Sequence, residues 1–263
     1  MADDAHETIE VTRDDAGVVT VTMNRPRVKN ALSDRMFIEL ESTFGSLRDD
    51  ADARVLVLTG AGGDFCSGAD LGAPPEIEDA NGLARMRRLH RLARALHDVP
   101  QPKIARIPGI AAGAGLSLAL GCDLTIASDA ARFSAIFSRR GLSTDMGAAW
   151  LLPRLVGLHR AKQLALFGEV IDATEAERIG LVNRVVPAAE LDATVDDWAS
   201  RLAAGPPVAL TQIIDLLDRA FETPFDALLA DEGSAQALCF TTDDTREAMT
   251  AFFEKRDPTY QGR

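Results

Sequence analysis

The chain has 263 residues, 46% of them hydrophobic and 26% charged, with a formal net charge of -12 and a pI near 4.8. That length buries a full core and suits one domain, or one domain with a helical extension. The acidic balance offers no basic field for nucleic acid or an anionic membrane, so neither is expected as a partner, and a phosphate-bearing ligand has to be held by local groups.

The first residues, MADDAHETIE, are acidic and lack the basic start and apolar stretch of a secretory signal. Cys66, Cys122 and Cys239 form no even framework and have no metal-type spacing. Both features lead to the expectation of a reduced, cytoplasmic setting. The longest weakly polar run, Gly109 to Cys122, is too short and too rich in small residues to span a bilayer.

Thr8–Arg13 and Val18–Met23 alternate apolar with polar residues around a Gly17 turn, the pattern of a hairpin. Ser33 reads as an N-cap for a helix to about Arg48, with Met36, Leu40, Phe44 and Leu47 at helical spacing. Val55–Thr59 is a buried strand, Arg85–His97 an amphipathic helix, and Lys103–Ile107 a strand followed by a helix ending at Gly121. Strands follow at Asp123–Ala127 and Ala131–Ile136, and helices at Ala148–Val156 and Arg160–Phe167. Thr174 to Glu177 reads as a capping box, and Leu181–Val186 as a closing strand. From Glu190 the pattern is helical only, with a last helix over about Asp243 to Lys255, so the expected organisation is an α/β body over 1–189 and a helical region over 190–263.

Two loops of small residues stand out, GAGGDFCSGADL from Gly60 and GIAAGAGLSLALGCDL from Gly109. The first fails as a dinucleotide fingerprint, since Phe65 stands where the third glycine belongs, and it lacks the Gly-Lys-Ser/Thr of a phosphate loop. Together the loops can aim two free backbone N–H groups at one oxygen, as carbonyl chemistry requires.

With NRPRVKNAL (Asn24–Leu32), LPRLVG (Leu152–Gly157) and AFFEKRDPTYQGR (Ala251–Arg263) added, the chain resembles the enoyl-CoA hydratase/isomerase family, the crotonase superfamily, over nearly its whole length. The resemblance implies a crotonase-like spiral of repeated ββα units, a C-terminal helical region used for trimer contacts, a homotrimer or dimer of trimers, and acyl-CoA thioester substrates. Coenzyme A then enters as part of the substrate and no separate cofactor is expected. The two enolate-holding N–H groups fall at Ala69 and Ala114. The CoA moiety is expected to pass Arg27, Val28 and Lys29 beside the loop that contains Gly68, with Lys255 and Arg256 of a neighbouring subunit near its phosphates; these basic residues read equally as solvated charges.

The family's hydratases hold water between two carboxylates, and the matching positions here are Ser117 and Phe137, which cannot ionise. Asp145 matches members that use an aspartate there, including dienoyl-CoA isomerases and ring-modifying isomerases of phenylacetate breakdown. One base suffices for a proton shift, and the apolar neighbours Phe137, Leu142 and Met146 are expected to raise its pKa. Asp145 also reads as an N-cap for the following helix, and Asp70 and Asp123 read as structural. The leading expectation is therefore double-bond isomerisation. The alternatives are a hydratase with an atypical site, a non-catalytic acyl-CoA-binding protein, and a relative of the halobenzoyl-CoA dehalogenases. In that last branch a histidine on the helix of His90 assists, although its tryptophan corresponds to Phe137. His6, His97 and His159 have no metal-type pairing, so no metal site is expected.

Overall fold

A computed structural model describes residues 6–72 and 77–263; the first five residues of the acidic start lie outside the described residues. The alternating N-terminal pattern forms the expected hairpin, with β1 (Ile9–Arg13) antiparallel to β2 (Val18–Met23) and Ile9 opposite Met23. α1 (Asp34–Arg48) starts where Ser33 Oγ accepts the Met36 N–H, and it buries Met36, Leu40, Phe44 and Leu47 along one face. β2 pairs in parallel with β3 (Val55–Gly60), which is buried along its whole length. α2 (Gly82–His97) begins three residues ahead of its apolar periodicity because the Asn81 side chain accepts the Ala84 N–H.

β4 (Lys103–Ile107), β6 (Leu124–Ser128) and β9 (Arg184–Val186) complete a six-stranded sheet in the order β1-β2-β3-β4-β6-β9. A second sheet joins β5 (Ile110–Ala112), β7 (Arg132–Ser134) and β8 (Ile171–Asp172). From β4 to β7 successive strands alternate between sheets: β4 then β5, followed by α3 (Ala114–Leu120), and β6 then β7, followed by a 3-10 turn (Ile136–Arg140) and α4 (Ala148–Val156). That alternation is the ββα repeat. The strand expected over 131–136 stops at Ser134. α5 (Leu158–Phe167) leads through β8 to α6 (Ala173–Arg178), whose cap is Asp172 accepting the Glu175 N–H. The capping box therefore lies two residues ahead of the expected one.

α7 (Leu191–Ala203) turns Leu191, Val195, Ala199 and Ala203 onto Val18, Val55, Val57, Ile104 and Ile126, so by packing it completes the six-stranded sheet. α8 (Pro207–Arg219), α9 (Phe225–Thr241) and α10 (Asp243–Glu254) lie outside that core: α8 has no buried residue, and Phe225, Phe240, Phe252 and Phe253 are exposed. Among the described residues no helix is long and apolar enough to cross a membrane.

Candidate functional site

The two glycine-rich loops run side by side. Cys66 N–H donates to Ile110 O at 2.9 Å and Ala112 N–H to Cys66 O at 2.9 Å, a parallel bridge that extends the second sheet. On its other edge the first loop bridges Leu32, whose N–H donates to Gly68 O at 2.8 Å. A trans peptide points its C=O and N–H in opposite directions, so the Ala69 N–H faces away from Leu32. It faces the edge along which residues 110–112 run. Gly68 is held at φ 104°, and a Cβ there would lie 3.0 Å from Ala112 O and 3.7 Å from Ala114 N, so the loops meet too closely for a side chain.

Ala114 follows the same peptide geometry. Gly113 O accepts the Ser117 N–H at 3.0 Å as α3 begins, so the N–H of the Gly113–Ala114 peptide projects out of the helix start. Among the described residues neither the Ala69 nor the Ala114 N–H has a protein acceptor. Two such donors on adjacent rigid segments can hold one oxygen anion. Beneath them Cys66 is buried, its thiol pushed up to about 12 by burial, and Sγ accepts the Gly68 N–H at 3.5 Å. It is a packing group, not a nucleophile.

Asp145 lies between the 3-10 turn and α4. Its side chain does not cap α4, whose N-cap is Gly147 with no side-chain hydrogen bond. Asp145 Oδ1 is sealed from solvent and has no hydrogen-bond partner. Burial without a compensating donor pushes the Asp145 pKa up to about 6. Phe137 and Met146 are buried and Leu142 is 55% exposed, so Leu142 does not provide the expected apolar cover. Met146 takes a left-handed φ of 47°, a strained conformation of the kind that collects at functional sites. Ser117, 2% exposed, donates from Oγ to Asp145 O at 3.1 Å, with Gly113 O at 3.3 Å. Ser117 thus ties α3 to the loop that carries the carboxylate.

Arg27 and Val28 lie in a short 3-10 turn, followed by Lys29 at φ 53°; all three are exposed. Their turn lines the first loop, with the Ser67 N–H donating to Lys29 O at 3.0 Å and Ser67 Oγ to Val28 O at 3.2 Å. Lys255 is exposed at the C-cap of α10, in the helical tail. Arg256 is paired with Glu247 at 2.5 and 2.9 Å and with Glu254 at 2.7 Å, so its charge is already compensated within the chain. Asp70 accepts from Arg25 at 2.8 Å, a structural pairing.

A cavity of about 520 Å³ lies between α2, α3, α4 and α8. His90, exposed on α2, lines it, as do Ser117 and Met146 beside Asp145. Its wall also includes Trp150, Arg154 and Phe221, residues that the sequence reading did not single out. The four-residue spacing of Trp150 and Arg154 on α4 was the available signal.

Residues 13–263 match the model of the enoyl-CoA hydratase/isomerase family. A 1,2-epoxyphenylacetyl-CoA isomerase of Escherichia coli is 37% identical over 255 residues, 94% of this chain and 96% of its own. A short-chain-enoyl-CoA hydratase of Clostridium acetobutylicum is 37% identical over 240 residues, 91% and 92% of the two chains. The crystal structure of an enoyl-CoA hydratase from Bacillus anthracis superposes with a TM-score of 0.93 at 32% identity, covering 98% of this chain and 100% of that one. The chain therefore belongs to the enoyl-CoA hydratase/isomerase family of the crotonase superfamily and has its fold.

Proposed function

We propose that the protein shifts a carbon–carbon double bond in an enoyl-CoA by transferring one proton through Asp145. The Asp145 carboxylate removes a proton from C2 of a 3-enoyl thioester, and the electron pair moves into the carbonyl to give an enolate. Ala69 and Ala114 N–H groups hold the enolate oxygen, each such donor contributing about 3–4 kcal/mol in known cases. The carbonyl re-forms, C2 and C3 become doubly bonded, and C4 takes the proton back from Asp145. No cofactor is needed, since coenzyme A arrives as part of the thioester. Arg27, Val28 and Lys29 flank the CoA crevice in this reading.

One observation carries it: Asp145 Oδ1 is buried without a donor, so the carboxyl is a stronger base than an exposed aspartate, while Ser117 and Phe137 supply no second carboxylate for handling water. Incubation with a 3-enoyl-CoA is expected to produce the conjugated 2-enoyl-CoA, and Asp145→Asn to abolish this while leaving CoA-ester binding largely intact. Turnover that survives in Asp145→Asn sinks the assignment. A second reading, hydration of a 2-enoyl-CoA by Asp145 and an ordered water, is favoured by relatives named as hydratases, and hydration of the 2-enoyl-CoA would establish it. The exposed apolar faces of α9 and α10 support a homotrimer or dimer of trimers, which light scattering tests.

A further inference from the structure

The acyl-CoA reading leaves the acyl group undefined, and the cavity against α4 and α8 bears on it. This inference rests on that reading. The cavity meets Ser117 of α3 and the Asp145 loop at Met146 and Gly147, and runs along α4 to Trp150 and Arg154, where Leu217 of α8 and Phe221 just beyond it line the far end. From Gly147 to Arg154 a helix rises about 10 Å. Carbon–carbon bonds advance an extended chain by about 1.3 Å each, so about eight carbons span that distance. A cavity of about 520 Å³ also falls in the range that encloses ligands much larger than a four-carbon acyl group.

The far end is a fixed aromatic wall. Trp150 Nε1–H donates to Glu222 Oε1 at 2.6 Å, and Arg154 Nη2 donates to the same oxygen at 2.8 Å. The Arg154 guanidinium carbon sits 3.7 Å from the Trp150 ring centroid, and the His97 ring meets Trp150 edge-on at 6.4 Å. One carboxylate oxygen just beyond α8 therefore holds both wall residues. Leu217 and Phe221 are 66% and 75% exposed and line the cavity, so a bound apolar group that covered them would remove that area from water.

We propose that the cavity selects acyl groups of about eight to ten carbons, linear or ring-bearing, with the distal end seated on the Trp150–Phe221 wall and Glu222 acting as the positioning residue that holds the wall. Calorimetric titration of the full chain with saturated butanoyl-, octanoyl-, 3-phenylpropanoyl- and hexadecanoyl-CoA tests this without turnover. Octanoyl- and phenylpropanoyl-CoA are expected to bind about tenfold or more tighter than butanoyl-CoA, with no further gain for hexadecanoyl-CoA. Trp150→Ala and Glu222→Gln are expected to lower the octanoyl-to-butanoyl affinity ratio about threefold or more. Glu222 is largely exposed, so its variant keeps the test valid if Trp150→Ala fails to fold. Equal affinities, affinity still rising to hexadecanoyl-CoA, or a ratio unmoved by Glu222→Gln overturns the proposal, as does a second copy of the chain occupying the wall. Failure of the proton-transfer reading registers separately, as turnover that survives Asp145→Asn with the affinity series intact.

Discussion

The Ser117 hydroxyl donates to the Asp145 carbonyl oxygen across 3.1 Å, joining the helix that starts at Ala114 to the loop that carries the proposed base. Ser117→Ala removes that link without touching a charge. It is expected to lower kcat by about ten- to a hundredfold through misplacement of the carboxylate, with KM little changed and about 1 kcal/mol of stability lost. Steady-state kinetics on a 3-enoyl-CoA checks this, and an unchanged kcat would refute the positioning role.

Burial favours the neutral Asp145 carboxyl, so its folded pKa, about 6, lies above its ordinary 3.8. Between those values the folded state holds more proton than the unfolded chain, and stability falls as pH rises through the window. Above it a constant penalty of at most about 3 kcal/mol remains. Asp145→Asn is accordingly expected to be more stable than wild type by about 1–3 kcal/mol near neutral pH, with the advantage vanishing by about pH 4. Urea unfolding at several pH values measures it. In wild type, kcat/KM is expected to rise with pH through about 6 as the base ionises.

Gly115→Ala places a Cβ 2.3 Å from Cys66 O and 2.7 Å from Cys66 Sγ. Backbone must move, because the nearer atom belongs to the main chain. A loss of about 2–3 kcal/mol is expected, together with most of the turnover, and adding Cys66→Ala is expected to rescue little. Thermal melts and activity assays of the single and double variants decide it; full rescue would locate the clash in the sulfur instead.

Lys103 is 1% exposed, and its Nζ lies 3.1 Å from both Asp123 Oδ1 and Val99 O. Burial pushes the Asp123 pKa up, and the Lys103 ammonium opposes that shift. Lys103→Met leaves a mostly buried carboxyl without its cation and is expected to cost about 3 kcal/mol, much of it recovered in Lys103→Met/Asp123→Leu. Denaturant midpoints of the four proteins in the cycle supply the test.

Local signals made most elements legible before any coordinates. The Ser33 cap located the start of α1 to the residue and the Met36–Leu40–Phe44–Leu47 stripe its extent, because caps and periodicity act within one turn. β5 and β8 were not legible: they have three and two residues, and their pairing partners lie far along the chain. Asp145 was legible as a carboxylate in an apolar segment ahead of α4, but whether it capped α4 was not. That is decided by Met146 and Gly147 both turning to positive φ, which a sequence does not announce at a methionine. Trp150 and Arg154 lay in plain view four residues apart, whereas their shared partner, Glu222, is 72 and 68 positions away.

The bridges that hold the two glycine-rich loops side by side run from Leu32 to Ala69 and from Cys66 to Ala111, and every bond in them is main chain to main chain. Side chains enter mainly by their absence, since a Cβ at Gly68 or Gly115 would meet the facing loop, so the proposed oxyanion grip is built into the backbone of the sheets themselves. The buried Oδ1 of Asp145, by contrast, has no hydrogen-bond partner, and burial of the carboxylate burdens the native state near neutral pH. Losing or exchanging it would make the molecule sturdier. In the proposed reading stability is given up for reactivity at this one position, so the side chain can be exchanged without rebuilding the scaffold around it.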